Sequence, residues 1–270
     1  MRLERCLKLG PRLPPSSQIK RLVSGAALKF DRLYIGEEFC ENLLPGPKQL
    51  AACAGALLAE GKKVCVLTPP VSEKGLAVLA DLFAGLKKIK NRAGNLDLTV
   101  NDFGALELAG KSRLGVKLNA GRLLRHNAFQ TDKDSLRVID TRCLEAFAEL
   151  GISRFEVAVA SKKFRTNFPR VSEKAGAGDF RLTMYYPYYN ITSARTCLLG
   201  TPEAGRHGSV RTIDCRRECE TAAFEIVHPF IKEKIVMRGN TLFLRFTGEL
   251  GAEKSLLASR IDRLVYDPFR

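Results

Sequence analysis

Short apolar segments alternate with helical patterns along most of this 270-residue chain, and this alternation limits the possible folds more than any other feature. Residues 63–68 form a continuous apolar segment, which is typical of a parallel strand covered on both faces. Residues 47–60, just before it, have apolar side chains at helical spacing, with Pro47 in the first turn and Gly61 after the last. Repeated units of this kind predict an α/β fold.

Eight to nine segments have the short apolar pattern of a strand. They lie at residues 7–9, 30–36, 63–68, 96–100, 115–119, 154–160, 181–185, 241–246 and 264–266. Further helices are predicted at residues 72–90 and 134–150. This number of units fits a (β/α) barrel of the TIM-barrel type, complete or irregular, better than an open doubly wound sheet. The glycine motifs of phosphate and dinucleotide loops, which would favour the open sheet, are absent from the sequence. We therefore expect residues 1–270 to form one barrel-like domain.

The composition limits the class of protein and its partners. No apolar run reaches the roughly 18 residues of a membrane-spanning helix, and the charged N-terminus lacks the apolar stretch of a secretory signal. A cytoplasmic protein without a membrane span is expected, and its eight cysteines then indicate metal ligation and buried thiols rather than disulfides. The net charge of +15 favours an anionic partner. RNA is permitted but not indicated, because the sequence has no arginine-rich tail and no aromatic RNA-binding motif.

Four of the eight cysteines lie in polar, loop-like sequence. Cys197, Cys215 and Cys219 fall within a glycine-containing segment at about residues 190–222, and Cys40 lies outside any predicted strand or helix. Thiolates bind zinc or an iron–sulfur cluster, and either normally takes four ligands, so these four cysteines predict one complete metal site. Their spacing leaves zinc and iron–sulfur open. The remaining cysteines are interpreted as structural or incidental thiols, and they are Cys6, Cys53, Cys65 and Cys143.

Three motifs occur in a characteristic order. Gly-Glu-Glu-Phe-Cys ends at Cys40, Val-Asn-Asp-Phe-Gly contains Asn101 and Asp102, and Tyr-Tyr-Pro-Tyr-Tyr-Asn starts at Tyr185 and precedes the three clustered cysteines. In order and spacing they resemble the collagenase-like peptidase family U-thirty-two, especially its members in the ubiquinone pathway. The resemblance implies a barrel that carries a 4Fe–4S cluster on Cys40 and the three clustered cysteines, with zinc as the alternative.

The same resemblance implies a component of oxygen-independent hydroxylation. Its substrate would be a ubiquinone-type precursor, its oxygen donor a small anion such as prephenate, and its partner a paralogous subunit. Hydroxylation of an RNA base is an alternative, less favoured because the RNA-modifying relatives carry further C-terminal domains. Proteolysis is not expected, since the sequence lacks both the His-Glu-x-x-His and the Gly-x-Ser-x-Gly motifs. A different alternative is a non-catalytic, metal-stabilised module that binds an anionic partner.

Five side chains are predicted to contact the substrate or donor. Asn101 and Asp102 follow a predicted strand, and Tyr185 and Tyr186 lie at the end of another, where the functional residues of (β/α) barrels collect. Arg195 is close to the cysteines in sequence, where a guanidinium group could hold an anionic donor and stabilise a reduced cluster. The competing interpretations are strand-end capping for the first two, core packing for the tyrosines and simple solvation for the arginine.

Overall fold

A closed barrel of eight parallel strands forms the centre of the computed structural model, which describes residues 2–90, 94–132, 134–158, 161–176, 179–197, 199–200 and 215–268. The described strands are, in chain order, β1 (Glu4–Lys8), β2 (Arg32–Gly36), β3 (Lys63–Leu67), β4 (Leu96–Val100), β5 (Lys117–Ala120), β6 (Phe129–Asp132), β7 (Ser135–Val138), β8 (Ile152–Ala158), β9 (Arg165–Thr166), β10 (Arg181–Tyr186), β11 (Tyr188–Ser193), β12 (Phe224–His228), β13 (Ile231–Arg238), β14 (Thr241–Arg245) and β15 (Ile261–Tyr266).

The barrel strands follow one another in chain order around the barrel. Their order is β1, β2, β3, β4, β5, β8, β10 and β15, and β15 pairs with β1 to close the ring. Every pair is parallel, which requires a crossover between successive strands. The crossover helices are α1 (Ser16–Ser24), α2 (Pro47–Ala59), α3 (Glu73–Lys87), α4 (Phe103–Ser112), α5 (Thr141–Glu149), α6 (Phe168–Lys174) and α7 (Glu253–Ala258). This topology confirms the (β/α) barrel and excludes the open sheet.

Successive residues of a barrel strand point alternately outward, toward the helices, and inward, into the barrel. Leu33, Ile35, Val64 and Val66 point outward into the large apolar core beneath the helices, and each is fully buried. The inward-facing residues include Tyr34 and a set of ionised side chains. At the N-terminal end of the barrel, Arg263 contacts Asp97 at 2.5 Å and Glu4 at 2.6 Å, and Arg32 contacts Glu4 at 3.2 Å. This end is closed by ion pairs, and in barrels of this kind it serves stability.

Two small sheets are inserted between barrel strands. The strands β6, β7 and β9 form one of them, and β11, β14, β13 and β12 form an antiparallel sheet between β10 and β15. The predicted strand at residues 241–246 is therefore confirmed as β14, but it belongs to this second sheet and not to the barrel. The predicted strand at residues 154–160 corresponds to β8, and residues 159 and 160 lie outside the described residues.

The helix predicted at residues 134–150 is confirmed for Thr141–Glu149, but its first part is wrong. Residues Ser135–Val138 form β7, and helix α5 begins only at Thr141. Leu136 and Val138 are both buried and lie two residues apart, which is the period of a strand. Asp140 then starts the helix, because its carboxylate accepts a hydrogen bond from the backbone N–H of Arg142 at 2.9 Å. Among the described helices, none has the length and apolar character that crossing a membrane requires.

Candidate functional site

The loops at the carboxyl ends of the barrel strands form a mouth, and Cys40 lies in the loop that follows β2. Cys40 and Cys197 both line a pocket of about 530 Å³ between this loop and the inserted antiparallel sheet. Arg195 lines the same pocket, together with Phe39, Leu123 and Asn240. The structure therefore brings two of the predicted metal ligands and the predicted anion-binding arginine to one place.

Asn240, Arg217 and Phe243 fasten the insertion that follows β10 to the β2 loop. The side-chain amide of Asn240 donates to the backbone oxygens of Phe39 at 2.9 Å and of Ala194 at 2.6 Å. Arg217 donates to the backbone oxygen of Asn42 at 2.9 Å. The Phe39 ring also packs edge-on against Phe243, with 5.3 Å between the ring centroids. These contacts hold the cysteine-bearing segment against the loop of Cys40, although the two are far apart in sequence.

Two of the four predicted metal ligands, Cys40 and Cys219, have pKa values raised in part by the other predicted ligands. Burial, the neighbouring Glu37 and, to a smaller extent, Cys215 raise the pKa of Cys40 to about 12. Burial, then Cys197 and Cys215, raise the pKa of Cys219 to about 11. These two thiols are protonated at neutral pH in the metal-free chain, so each would release a proton on binding a metal. Of the predicted segment at residues 190–222, residues 198 and 201–214 lie outside the described residues.

The donor set fits a thiolate-bound metal centre in its chemistry, since thiolates bind zinc and iron–sulfur clusters. None of the four cysteines is in a disulfide within the described part of the chain, and Cys197 and Cys219 are buried. Arg238 donates to the backbone oxygen of Cys219 at 3.2 Å, which anchors that cysteine to β13. Within the described part of the chain, no group of three or more His, Cys, Asp or Glu side chains is arranged to hold a single metal ion. Binding of all four thiols to one metal centre would therefore require the cysteines to lie closer together than they do in this structure.

The other four cysteines lie elsewhere. Cys6 and Cys65 are buried inside the barrel with Tyr34, and Cys53 is buried on the core-facing side of helix α2. Cys143 is half-buried on α5. None of these four lines the pocket that contains Cys40 and Cys197.

Asn101 and Asp102 hold the backbone of neighbouring loops. The side-chain amide of Asn101 donates to the backbone oxygen of Thr68 at 3.0 Å, and its carbonyl accepts from the backbone N–H of Leu123 at 3.0 Å. Asp102 caps helix α4 by accepting from the N–H of Ala105 at 2.6 Å, and it also accepts from Val71 at 2.7 Å. Both side chains therefore shape the mouth through the loops they hold.

The two tyrosines face different environments. Tyr185 points into the barrel, where it is fully buried and its hydroxyl donates to Glu156 at 2.7 Å. Tyr186, the next residue of the strand, faces outward and packs its ring against Tyr266 with 5.3 Å between centroids. Tyr186 lines a separate groove on the outer face of β1, so the structure does not bring it together with Tyr185 or Arg195.

A cluster of buried ionised side chains lies at the centre of the mouth, and the sequence analysis did not identify it. We call it the mouth cluster: Lys8, Glu38, Arg122 and Asp267. Arg122 donates two hydrogen bonds to Glu38, at 2.9 and 2.6 Å, and Lys8 contacts Glu38 at 2.6 Å and Asp267 at 3.1 Å. Burial alone would raise the pKa of Glu38, but Arg122 and Lys8 outweigh it and lower the value to about 2.

Aromatic rings enclose the Arg122 guanidinium. Its central carbon lies 4.0 Å from the centroid of the Tyr185 ring and 4.9 Å from that of Phe39. Cation–π contacts of this kind are stronger when they are desolvated. Phe39 also lines the 530 Å³ pocket, so its ring lies between the mouth cluster and the pocket that contains Cys40 and Cys197.

The four residues of the mouth cluster lie at the carboxyl ends of barrel strands, where the sequence analysis also expected functional residues. Lys8 ends β1, Asp267 directly follows β15, and Glu38 and Arg122 each lie two residues beyond a barrel strand. Strand-end position could therefore have identified all four as candidates. The signal was weak because three of the four are Lys, Glu or Arg, which are common on protein surfaces and seldom fully buried.

Glu156 lies deeper in the barrel and has an elevated pKa. It accepts hydrogen bonds from Tyr185 at 2.7 Å and from the hydroxyl of Thr99 at 2.8 Å. Burial, and secondly the negative charge of Glu38, raise the pKa of Glu156 from 4.5 to about 7. The folded protein therefore binds this proton more tightly than the unfolded chain does. This favours the folded state fully below about pH 4.5, and the effect is lost as the pH rises to about 7.

Glu156→Gln is expected to remove this pH dependence. Compared with the variant, the wild-type protein should lose about 3 kcal/mol of unfolding free energy between roughly pH 4.5 and 7, at about 1.4 kcal/mol per pH unit. Urea denaturation of both proteins at pH 5, 6, 7 and 8 measures the difference, with Glu149→Gln on the exposed end of α5 as the control. A difference that does not change with pH would show that Glu156 does not retain its proton in the folded state.

The chain was compared with protein-family models, curated proteins and solved structures. No family model matches the chain, and no curated protein matches it either. An Oleispira antarctica phosphodiesterase in complex with sn-glycerol-3-phosphate has 11% identity over 71% of this chain and 85% of its own, with a TM-score of 0.44. Dihydropteroate synthase from Thermus thermophilus, in complex with 6HMPPP, has 14% identity over 100% and 90%, with a TM-score of 0.42. The spore cortex-lytic enzyme of Bacillus megaterium has 11% identity over 98% and 70%, with a TM-score of 0.38. None of these similarities assigns a function to this chain.

Proposed function

We propose that this chain is an iron–sulfur protein of the collagenase-like peptidase family U-thirty-two that takes part in oxygen-independent hydroxylation. A 4Fe–4S cluster would be held by Cys40, Cys197, Cys215 and Cys219. The acceptor would be a ubiquinone-type precursor, and a small anion such as prephenate would donate the oxygen. A paralogous subunit is the proposed partner.

The observation that carries the proposal is the meeting of cysteines from two distant parts of the chain. Cys40 follows β2, whereas the other three lie in or beside the insertion that follows β10, and Cys40 shares one pocket with Cys197. The four cysteines predicted as structural or incidental are absent from that pocket. The placement of Cys40 and Cys197 in one pocket at the functional end of the barrel, with Cys215 and Cys219 in the same insertion as Cys197, supports a single thiolate-bound centre.

The chain's own groups supply binding and orientation at this centre. When bound, a cluster of this type stores and transfers single electrons. Arg195 lies on the pocket wall, where its guanidinium can hold the carboxylate of a donor. Phe39 and Leu123 form an apolar part of the same wall and limit the access of water. Glu156 lies inside the barrel, where its pKa of about 7 allows it to hold or release a proton near neutral pH.

Cys40→Ser is expected to remove the cluster while leaving the barrel folded, because Cys40 lies in a loop outside the barrel strands. Anaerobically purified wild-type protein should contain about four irons and four sulfides per chain. The variant should contain less than about a quarter of that amount, because a cubane cluster with one ligand missing is labile. Iron, sulfide and zinc analysis gives the metal content, and far-ultraviolet circular dichroism gives the fold.

Cys143→Ser is the matched control, since Cys143 is a half-buried thiol distant from the pocket. It should retain the iron and sulfide of the wild type. Full iron in Cys40→Ser would exclude Cys40 as a ligand. One zinc and no sulfide in the wild type would contradict the iron–sulfur proposal and favour the metal-stabilised binding module, for which the net charge of +15 suggests an anionic partner.

The proposed reaction is tested separately from the cluster. Protein with a full complement of iron and sulfide should, under anaerobic conditions and with prephenate present, hydroxylate a ubiquinone precursor. Cys40→Ser should lose this activity, and Cys143→Ser should keep it. Hydroxylation that proceeds equally well in Cys40→Ser would contradict a role for the site in the reaction.

A further inference from the structure

An open groove of about 1030 Å³ lies on the outer face of the barrel, where β15 pairs with β1. Its floor contains Leu7 of β1 and Leu264 and Tyr266 of β15. Leu22 of α1 and Tyr186 at the end of β10 also line it. We call it the outer groove. No described cysteine lines it, so it is separate from the proposed metal site.

The outer groove lies at the position that the eighth helix occupies in a complete (β/α) barrel. There, a helix follows every strand, and the helix after the eighth strand covers its pairing with the first. The seven described crossover helices each connect two successive strands, and none of them connects β15 with β1. The outward-facing Leu264 and Tyr266 stay partly exposed, whereas Leu33 and Val64 are fully buried beneath the helices. The floor of the groove is therefore an apolar face suited to a helix.

The length of the outer groove also suits a helix. Its lining extends along the segment of β1 from Leu3 to Leu9. Six steps of about 3.3 Å give about 20 Å, which a helix rising 1.5 Å per residue covers with about 13 residues. Helix α2, which packs on β2 and β3, has 13 residues. The groove can thus accept a helix as long as those already on the barrel.

The rim of the outer groove is positively charged. Arg5, Arg12 and Lys29 line it and are exposed. Among the described residues that line it, Glu220 is the only acidic one, and it pairs with Arg12 at 3.2 Å. Arg5 and Lys29 form no ion pair within the described part of the chain. The charge of this rim is complementary to an acidic partner and not to a basic one.

From the apolar floor, its place in the barrel and the basic rim, we infer that the outer groove docks an amphipathic helix with an acidic flank, supplied by a partner protein. Apolar side chains of that helix pack on Leu264 and Tyr266, and its carboxylates lie beside Arg5 and Lys29. Burial of apolar surface drives the binding, and the charges select an acidic helix. The inference depends neither on the metal centre nor on the proposed hydroxylation.

The test uses a fluorescein-labelled peptide of about 18 residues, long enough to form a helix in water. Its leucines recur at helical spacing, and glutamates occupy the opposite face. A matched peptide carries lysine in place of every glutamate. Fluorescence anisotropy with the 270-residue chain should show that the acidic peptide binds at least about tenfold more tightly than the basic one. Raising the salt from about 0.05 to 0.5 M should weaken this binding, because the rim charges are exposed.

Two variants test the floor and the rim separately. The double variant Arg5→Gln and Lys29→Gln should weaken binding of the acidic peptide at least about fivefold, and Leu264→Ser at least about tenfold. The control is the double variant Lys48→Gln and Lys74→Gln, which makes the same charge change at exposed positions of α2 and α3 and should bind as the wild type does. Far-ultraviolet circular dichroism checks the fold. The rim variant, which changes only exposed side chains, decides the result if Leu264→Ser does not fold.

Several results would overturn the inference. The acidic peptide might fail to bind, might bind no better than the basic one, or might bind unchanged to either groove variant. Analytical ultracentrifugation of the chain alone could instead show a dimer that Leu264→Ser dissociates, which would assign the groove to a second copy. Co-sedimentation with phosphatidylglycerol vesicles that the rim variant loses, without binding of the acidic peptide, would assign it to an anionic membrane surface.

Discussion

Glu38→Gln is expected to lower the free energy of unfolding by about 3–5 kcal/mol, the usual result of removing one partner from a buried ion pair. Glu38 is fully buried, and its two oxygens accept three charge-assisted hydrogen bonds from Arg122 and Lys8. Glutamine has the same size but only one oxygen. Its NH₂ group would therefore face at least one N–H donor, and two buried cations would lose the carboxylate between them.

The matched control is Glu107→Gln. Glu107 pairs with Lys111 at 2.6 Å on the exposed face of α4, and such i,i+4 pairs contribute only about 0.3–0.5 kcal/mol. The two variants make the same chemical change, and only the burial and the number of partners differ. Urea denaturation, with the midpoint and slope compared to those of the wild type, measures both. A Glu38→Gln midpoint that shifts no more than that of Glu107→Gln would show that water reaches the mouth cluster.

The barrel could be predicted from the sequence because each of its units is marked locally. The apolar residues of β3 and the Pro47 that starts α2 are signals contained in short stretches of chain. The error at residues 134–150 has a local cause as well. Leu136 continues, at helical spacing, the apolar pattern of the true helix α5, and only its partner strands β6 and β9 fix it in a strand. Strand pairing between distant segments leaves little trace in a single sequence.

Only the cysteines and Arg195 of the candidate site could be predicted from the sequence, because the other residues gain their importance from tertiary contacts. Cysteine is uncommon in loops, so its position there is informative even without a structure. Lys8 and Glu38 are common residue types, and their importance comes from burial and from partners such as Asp267, which is far away in sequence. The buried Nε and Nη1 of Arg125, in the loop after β5, have no hydrogen-bond partner among the described residues. This could not be predicted from the sequence, because it depends on which side chains fail to reach the guanidinium, and only three-dimensional coordinates give that information.

Gly36→Ala is expected to destabilise the protein by about 3–5 kcal/mol, since it combines backbone strain with a steric clash. Gly36 ends β2 and has a φ of +106°, which an alanine adopts only with strain. A Cβ at this position would also lie 3.2 Å from the backbone nitrogen of Leu67 and closer still to its oxygen. Backbone atoms of the neighbouring strand β3 cannot move aside without disturbing the barrel. Thermal and urea denaturation should both show the loss.

Gly61→Ala separates the two causes. Gly61 also has a positive φ, +77°, but a Cβ there would meet nothing within 4 Å. Its cost should be the backbone contribution alone, about 1–2 kcal/mol. The excess in Gly36→Ala then measures the contact with β3. Because Gly36 directly precedes the segment that carries Glu38, Phe39 and Cys40, that contact fixes where the mouth cluster and the proposed metal ligand lie. Equal effects of the two substitutions would mean that β2 and β3 can separate at this point, and the segment would then be positioned by Asn240 and Arg217 instead.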